Sequence, residues 1–328
     1  MSGWPLETTC DKRLVVSGSD ALEEVFPPSI IEALRSVPNP TEALRVRLHV
    51  LMGDLPHMPD VELLREAWEK YVRCATRLSF FDGAQGEDLR SRLVGKDDDL
   101  FRSAMSECFA AWFLSERLHL KVSPRPMGRS ASVLEMAVAS KDGDINVEVK
   151  APRKPLPTTG VWVGDDADAL RSAIKSANEQ FEQGRKNLLV IVPQLPTFFW
   201  AEPRGLRRFM ALKAFVVEET IRVAIDPTTG GPAGPIHQGW RPSGEFVKSR
   251  PGKKRWFTRT GAALLINEHI AVAPLKMTCS AMLVHNPSAR NPLPTDLWRG
   301  VDQFCEVGGG QWTWRDAERR DEQRHDGA

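Results

Sequence analysis

Hydrophobic positions recur at helical spacing in the first part of the chain. Apolar side chains three or four positions apart predict helices within 29–34, 41–51 and 61–78. Thr41 follows Asn39-Pro40, and its hydroxyl can cap the helix that begins there. We therefore predict a helical amino-terminal region over residues 1–95.

The pattern becomes more varied after this region. Polar and apolar residues alternate on both sides of Asp142-Gly143, which predicts a β-hairpin. A continuous apolar run after Gly184 is typical of a buried strand. The predicted elements are a helix at 101–118, strands at 120–123, 132–140 and 145–151, a helix at 166–183 and a strand at 187–192. This order predicts a mixed α/β (α+β) fold with a core over residues 96–200.

The pattern is weaker beyond Pro193, where we predict a mixed carboxy-terminal extension over residues 201–314. Its predicted elements are a helix at 202–219, a strand at 222–225, a loop at 226–235, a basic loop at 241–259 and strands at 262–266, 269–273 and 281–285. Residues 315–328 are charged and almost free of large apolar side chains, which predicts a disordered tail.

Composition limits the classes of function. Of the 328 residues, 41% are hydrophobic and 27% are charged, as in ordinary globular proteins. Forty-four Lys and Arg balance 43 Asp and Glu, so any charge that binds a partner must be local. The five cysteines form no CxxC pair, and no apolar stretch reaches 18 residues. We expect a cytoplasmic protein that does not enter a membrane.

The hairpin carries the candidate chemistry. With a turn at 141–144, Ala137 lies opposite Glu148, and Glu135 lies opposite Lys150. Alternate side chains share a face of a strand, so Glu135, Glu148 and Lys150 are predicted on one face. One interpretation is a surface ion-pair ladder of little energetic effect. The other is a functional cluster, because helices on both sides of the hairpin should bury one of its faces.

The triplet Glu148-Val149-Lys150, the acidic Glu135 thirteen positions earlier and the αβββαβ order resemble the PD-(D/E)XK nuclease superfamily over about residues 100–193. The resemblance implies a restriction-endonuclease-like core that hydrolyses phosphodiester bonds with Mg²⁺ or Mn²⁺. It implies that Glu135, Glu148 and the Val149 carbonyl bind the metal. Lys150 would then orient the attacking water or stabilise developing charge on the phosphate.

Two helical residues also fit the resemblance. Many relatives carry a Glu on the first helix that joins the metal shell, which corresponds here to Glu107, and some place a Gln near the active site, which corresponds to Gln180. Each residue has a structural interpretation as well. Glu107 fits a half-exposed helix position, and Gln is an ordinary helix former.

A basic segment at 241–259 interleaves Lys and Arg with the aromatic residues Trp240, Phe246, Trp256 and Phe257. Positive charge beside aromatic rings suits phosphate contact and base stacking, although a solvated loop has the same composition. The candidate nucleic-acid-binding residues are Arg153, Lys154, Lys248, Arg250, Lys253, Lys254, Arg255 and Trp256. We expect a nucleic-acid partner, with DNA favoured over RNA, and the resemblance leaves a homodimer open.

These observations leave two functions open. The first is a Mg²⁺-dependent nuclease. The second is a catalytically degenerate protein of the same fold that binds nucleic acid or a protein partner, because Glu135 stands where the family usually has Asp.

Overall fold

The computed structural model gives the positions of most of the chain. It describes residues 21–53, 59–124, 134–153, 166–194, 210–211, 213–215, 217–222, 237–242, 246, 259–272, 275–286, 289–298, 301–308 and 311–316. Predictions that fall on other positions, such as the loop at 226–235, lie outside the described residues.

Helices come first along the described chain. They are α1 (Ala21–Val25), α2 (Pro28–Arg35), α3 (Glu42–Met52), α4 (Pro59–Arg77) and α5 (Gly83–Val94). Thr41 Oγ1 accepts a hydrogen bond from the Leu44 backbone N–H at 3.0 Å, which confirms the predicted cap. Gly53 ends α3 with a φ of 62°, a left-handed conformation that glycine adopts without strain.

The predicted order of elements is confirmed between residues 98 and 191. The elements are α6 (Asp98–Trp112), which continues as a π-helical turn at Phe113–Arg117, β1 (Val122–Pro124), β2 (Met136–Val138), β3 (Ile145–Lys150), α7 (Asp166–Gln180) and β4 (Lys186–Ile191). Asp97 caps α6 by accepting from the backbone N–H groups of Asp99 and Leu100.

Strands dominate the remainder of the described chain. They are β5 (Val217–Arg222), β6 (His237–Pro242), β7 (Ala262–Val272), β8 (Leu275–His285), β9 (Gln303–Gly308) and β10 (Gln311–Asp316), with a 3-10 turn at Thr295–Trp298. One mixed sheet has the order β1-β2-β3-β4-β7-β8-β9-β10, and β5 pairs with β6 separately. The pairs β3–β4, β4–β7 and β8–β9 are parallel. The core and the predicted carboxy-terminal extension therefore share one sheet.

The two faces of the sheet pack into different hydrophobic clusters. Ile145, Val147 and Val149 of β3 belong to the cluster that contains residues of α1, α4 and α6. Leu189 and Ile191 of β4 belong to the cluster that contains α7. Side chains alternate along a strand, so the even-numbered residues of β3 lie on the α7 face.

The structure corrects several predictions after Pro193. Residues 217–219, predicted as helical, begin β5, where Val217, Thr220 and Ile221 have the branched side chains that favour strands. The predicted strand 262–266 and residues 269–272 of the predicted strand 269–273 form one strand, β7, and 281–285 is the second half of β8. Arg315 and Asp316, predicted as disordered, lie in β10, which was not predicted. Residues 317–328 lie outside the described residues.

A polar interruption explains the error in β7. Asn267-Glu268-His269 looks like a break between two apolar segments, yet these residues remain paired with β8 throughout. The Tyr71 hydroxyl on α4 donates a hydrogen bond to Glu268 Oε1, which satisfies a carboxylate oxygen inside the sheet.

Among the described residues, no helix combines the length and apolar composition needed to cross a bilayer.

Burial at this position raises the pKa of Glu268 to about 7, and the nearby Lys70 only partly offsets the shift. The folded protein therefore holds a proton that the unfolded chain releases above its ordinary pKa of 4.5. Stability from this group is full below pH 4.5 and falls as the pH rises towards 7. At about 1.4 kcal/mol per unit, the loss approaches about 3 kcal/mol.

Replacement of Glu268 by Gln should remove this dependence, because Gln keeps the oxygen that Tyr71 contacts and carries no charge. We expect the variant to match the wild type at pH 5 and to be more stable by up to about 3 kcal/mol at pH 8, measured by urea unfolding. Glu66→Gln, at an exposed position on α4, is the control. An equal difference at both pH values would contradict the assignment.

Candidate active site

The hairpin register differs from the predicted one by two residues. Val138 pairs with Ile145 and Ala137 with Asn146, so Glu135, one step before β2, lies beside Glu148 instead of Lys150. Residues 139–144 form a loop that is longer than the predicted turn. The Ser140 hydroxyl donates to the Gly143 carbonyl at 2.5 Å, and the Gly143 N–H donates to the Ser140 carbonyl at 3.3 Å. These bonds take Ser140 out of the strand.

A shift of two residues preserves the side-chain face, because strand side chains repeat with a period of two. Glu135, Glu148 and Lys150 therefore still meet. The Lys150 ammonium donates a hydrogen bond to Glu148 Oε1, and the Val149 backbone N–H donates to Glu135 Oε2 at 3.2 Å. Glu148 is 0% exposed, which excludes the surface ion-pair ladder.

The carboxyl groups of Glu135 and Glu148 lie next to each other, beside the one ammonium of Lys150. Burial raises the pKa of Glu135 well above its ordinary value, and a hydrogen bond to Glu148 and the charge of Glu148 raise it further, against the effect of Lys150. Among the described residues outside this pair, no group donates to Glu148 Oε2, although this atom is buried. A carboxylate pair of this kind needs a shared proton or a cation between its members.

Helix α7 supplies a third contact. Gln180 is its last residue, and Gln180 Oε1 accepts a hydrogen bond from the Lys150 ammonium at 3.0 Å. The Lys150 side chain is 21% exposed, so its ammonium is held from two sides while part of it remains open to solvent. The structure thus brings Gln180 together with Lys150, Glu148 and Glu135.

Glu107 has different contacts. It lies on α6 and is only 2% exposed, in contrast to the expected half-exposed position. Arg92 of α5 donates to both of its carboxylate oxygens, at 2.5 and 3.1 Å, and also pairs with Asp88 at 3.0 Å. This bidentate ion pair joins α5 to α6, and it gives Glu107 a structural role.

The candidate nucleic-acid-binding residues are described only in part. Arg153 follows β3 and pairs with Asp99 at the beginning of α6. Lys154, Lys248, Arg250, Lys253, Lys254, Arg255 and Trp256 lie outside the described residues.

Two members of the basic segment have structural contacts that the sequence did not indicate. Phe246 is 5% exposed and stacks on Phe215 with ring centroids 5.2 Å apart, so it is not an open stacking surface. Arg259 donates to the Asn178 carbonyl at 3.0 Å and to the Phe181 carbonyl at 3.4 Å, at the carboxyl end of α7. A cation at this end of a helix is favourable because the last carbonyls carry partial negative charge.

The donor set suits a hard cation. Mg²⁺ in proteins is usually held by one or two carboxylates and completes its six oxygens with water and substrate phosphate. The open Oε2 of Glu148 and the adjacent Glu135 carboxyl are such ligands. Within the described ranges, no group of three or more His, Cys, Asp or Glu side chains could hold a metal. Two carboxylates are therefore what these residues offer, and a fully protein-coordinated site is not formed here.

We found no match to this chain among models of known protein families, among curated proteins or among solved structures.

Proposed function

We propose that this protein is a Mg²⁺-dependent nuclease with a restriction-endonuclease-like core. The observation that carries the proposal is the pair of adjacent carboxyl groups, Glu135 and Glu148, held beside the ammonium of Lys150 in the middle of a mixed sheet. Two adjacent buried carboxyl groups that share one ammonium are costly to a fold, and such clusters are found most often at functional sites.

The arrangement of elements supports the same proposal. α6, the antiparallel strands β1, β2 and β3, α7 and the parallel strand β4 follow one another along the chain. This is the αβββαβ order that the sequence motif implies. Glu135 precedes β2, and Glu148 and Lys150 end β3, so the motif residues lie where the two strands of the hairpin separate.

Glu135, Glu148 and the Val149 carbonyl would hold the cation. The N–H and C=O of one strand residue point to the same side, and the Val149 N–H points to Glu135, so we expect the carbonyl on that side too. A bound Mg²⁺ would neutralise charge on the phosphate and lower the pKa of a water molecule at the site.

Lys150 is suited to orient the reacting groups. Glu148 and Gln180 fix its ammonium from two directions, which leaves a third donor for a water molecule or a phosphate oxygen. A positioned donor of this kind stabilises charge that develops in the transition state without reorganisation. Gln180 acts through Lys150 as a positioning residue.

The second candidate function is a catalytically degenerate module that binds nucleic acid or a protein partner. The observation that favours it is that Glu135 already accepts from the Val149 N–H, which, together with a proton shared with Glu148, could satisfy the pair without a cation. Arg153, the described member of the candidate nucleic-acid-binding residues, lies just beyond β3, and we propose nucleic acid as the partner of the nuclease, with DNA favoured over RNA. Both candidates act in the cytoplasm, and a homodimer is compatible with either.

Metal binding distinguishes the two candidates. We expect calorimetric titration of the wild-type protein with Mn²⁺ to show one site, and we expect Glu148→Gln to lose it, because the variant replaces the open carboxylate oxygen with a neutral amide. Glu87→Gln, at an exposed position on α5, is the control and should bind like the wild type. Wild-type protein that takes up no Mn²⁺ would favour the degenerate module.

A further inference from the structure

The parallel pairing of β3 with β4 continues in the residues that follow each strand, beyond the candidate active site. The Val192 N–H donates to the Lys150 carbonyl at 2.9 Å, and the Gln194 N–H donates to the Pro152 carbonyl at 2.9 Å. Arg153 and Gln194 form a parallel β-bridge. Arg153 is therefore fixed three residues beyond Lys150, about 10 Å along an extended chain and on the opposite, α6 face of the sheet.

Arg102 of α6 reaches the same place from the other side. Its guanidinium donates to Gln194 Oε1 at 3.4 Å, which is long for an N–H···O hydrogen bond. A guanidinium has five N–H donors, and this weak contact uses one of them. Arg102 and Arg153 both contact Gln194, so their guanidinium groups lie near each other. Partial burial lowers the pKa of Arg102 and the charge of Arg153 lowers it further, whereas Asp98 and Asp99 raise it.

The acidic residues nearby compensate for this charge only in part. Asp99 pairs with Arg153 at 2.5 Å, but the two side chains are 75% and 41% exposed, and such surface pairs contribute little. Asp98 accepts a 2.5 Å hydrogen bond from the Thr41 hydroxyl. A phosphate group could therefore displace Asp99 from Arg153 without disturbing a buried contact.

We propose that Arg102, Arg153 and Gln194 bind one backbone phosphate of the nucleic-acid strand whose cleavage is proposed above. This inference rests on the proposed function and adds a second place at which the nucleic acid is held. Arginine suits the role because its planar fork contacts two phosphate oxygens at once. Arg153 and Gln194 lie on the α6 face of the sheet, so this phosphate would lie across the sheet from Lys150, beyond the same ends of β3 and β4.

The test measures binding of duplex DNA by fluorescence anisotropy, in chelator and over a range of salt concentrations. One phosphate contact contributes about 0.9 to the slope of log K against log salt. We expect Arg102→Gln/Arg153→Gln to lower this slope by about 1 and to weaken binding to different sequences equally. The matched control is Arg35→Gln/Arg185→Gln, which removes two exposed charges on α2 and before β4.

The slope of log K against log salt tests the phosphate site without any measurement of catalysis. An unchanged slope in the Arg102→Gln/Arg153→Gln variant, or an equal decrease in the control, overturns the phosphate site. Wild-type protein that binds no duplex at low salt also overturns it. Restored slope in Arg102→Lys/Arg153→Lys supports a charge contact. Because the buffer contains chelator, a protein without metal binding or cleavage can still give the expected slope, so the two proposals can fail separately.

Discussion

Replacement of Lys150 by Met should reduce the rate of phosphodiester cleavage by about 10²- to 10³-fold, the usual cost of one preorganised charge contact in a transition state. The ammonium is fixed by Glu148 and Gln180, so its loss removes a donor that needs no reorganisation during the reaction. Glu148→Gln should be at least as damaging, because it also removes the open carboxylate oxygen. The measurement is the single-turnover rate on labelled DNA with Mg²⁺.

A matched control separates chemistry from stability. Lys175→Met removes an exposed lysine of α7, the helix that carries Gln180, and should leave the rate unchanged. Lys150→Met also leaves the fully buried Glu148 without its cation, so the rate must be compared at temperatures at which thermal unfolding shows the variant to be folded. A folded Lys150→Met variant with a rate within threefold of the wild type would contradict the assigned role.

Replacement of Arg92 by Met should destabilise the protein by about 3–5 kcal/mol, because it leaves the buried carboxylate of Glu107 without the guanidinium that contacts both of its oxygens. The Glu107 side chain is 3% exposed, so water cannot replace the lost donors. The free energy of unfolding, measured with urea at pH 7, is the test.

The control for this prediction is Arg35→Met, in which an exposed ion pair with Glu32 is lost. We expect a change of about 0.5 kcal/mol or less there, the usual range for exposed pairs. If Arg92→Met is no more destabilising than Arg35→Met, the ion pair with Glu107 does not hold α5 against α6.

Local patterns predicted the part of the fold that holds the site. Two patterns depend only on residues close together in the sequence: the alternation on both sides of Asp142-Gly143 and the apolar stripes of α6 and α7. They predicted the correct order of elements. The register was wrong by two residues because Ser140 bonds within the loop. The side-chain face survived this error, so the grouping of Glu135, Glu148 and Lys150 was predicted although the opposing pairs were not.

Contacts between distant residues could not be predicted. Arg92 and Glu107 belong to different helices, and neither residue type indicates burial by itself. Arg102 and Gln194 are 92 positions apart, and they meet only because the pairing of β3 and β4 continues to Arg153. In β7, the polar Glu268 is tolerated because Tyr71 reaches it from a helix almost two hundred positions earlier. Such partners depend on tertiary packing, which local periodicity does not contain.

We propose that the Glu135–Glu148 pair and Lys150 cleave nucleic acid with a divalent cation. The most direct test is incubation of the purified wild-type protein with linear duplex, circular duplex, single-stranded DNA and RNA, each with Mg²⁺ and with chelator, beside Glu148→Gln. We predict cleavage of at least one DNA substrate that requires Mg²⁺ and is absent in Glu148→Gln. Cleavage that persists in chelator or in the variant, or wild-type protein that cleaves none of the four, would contradict the account.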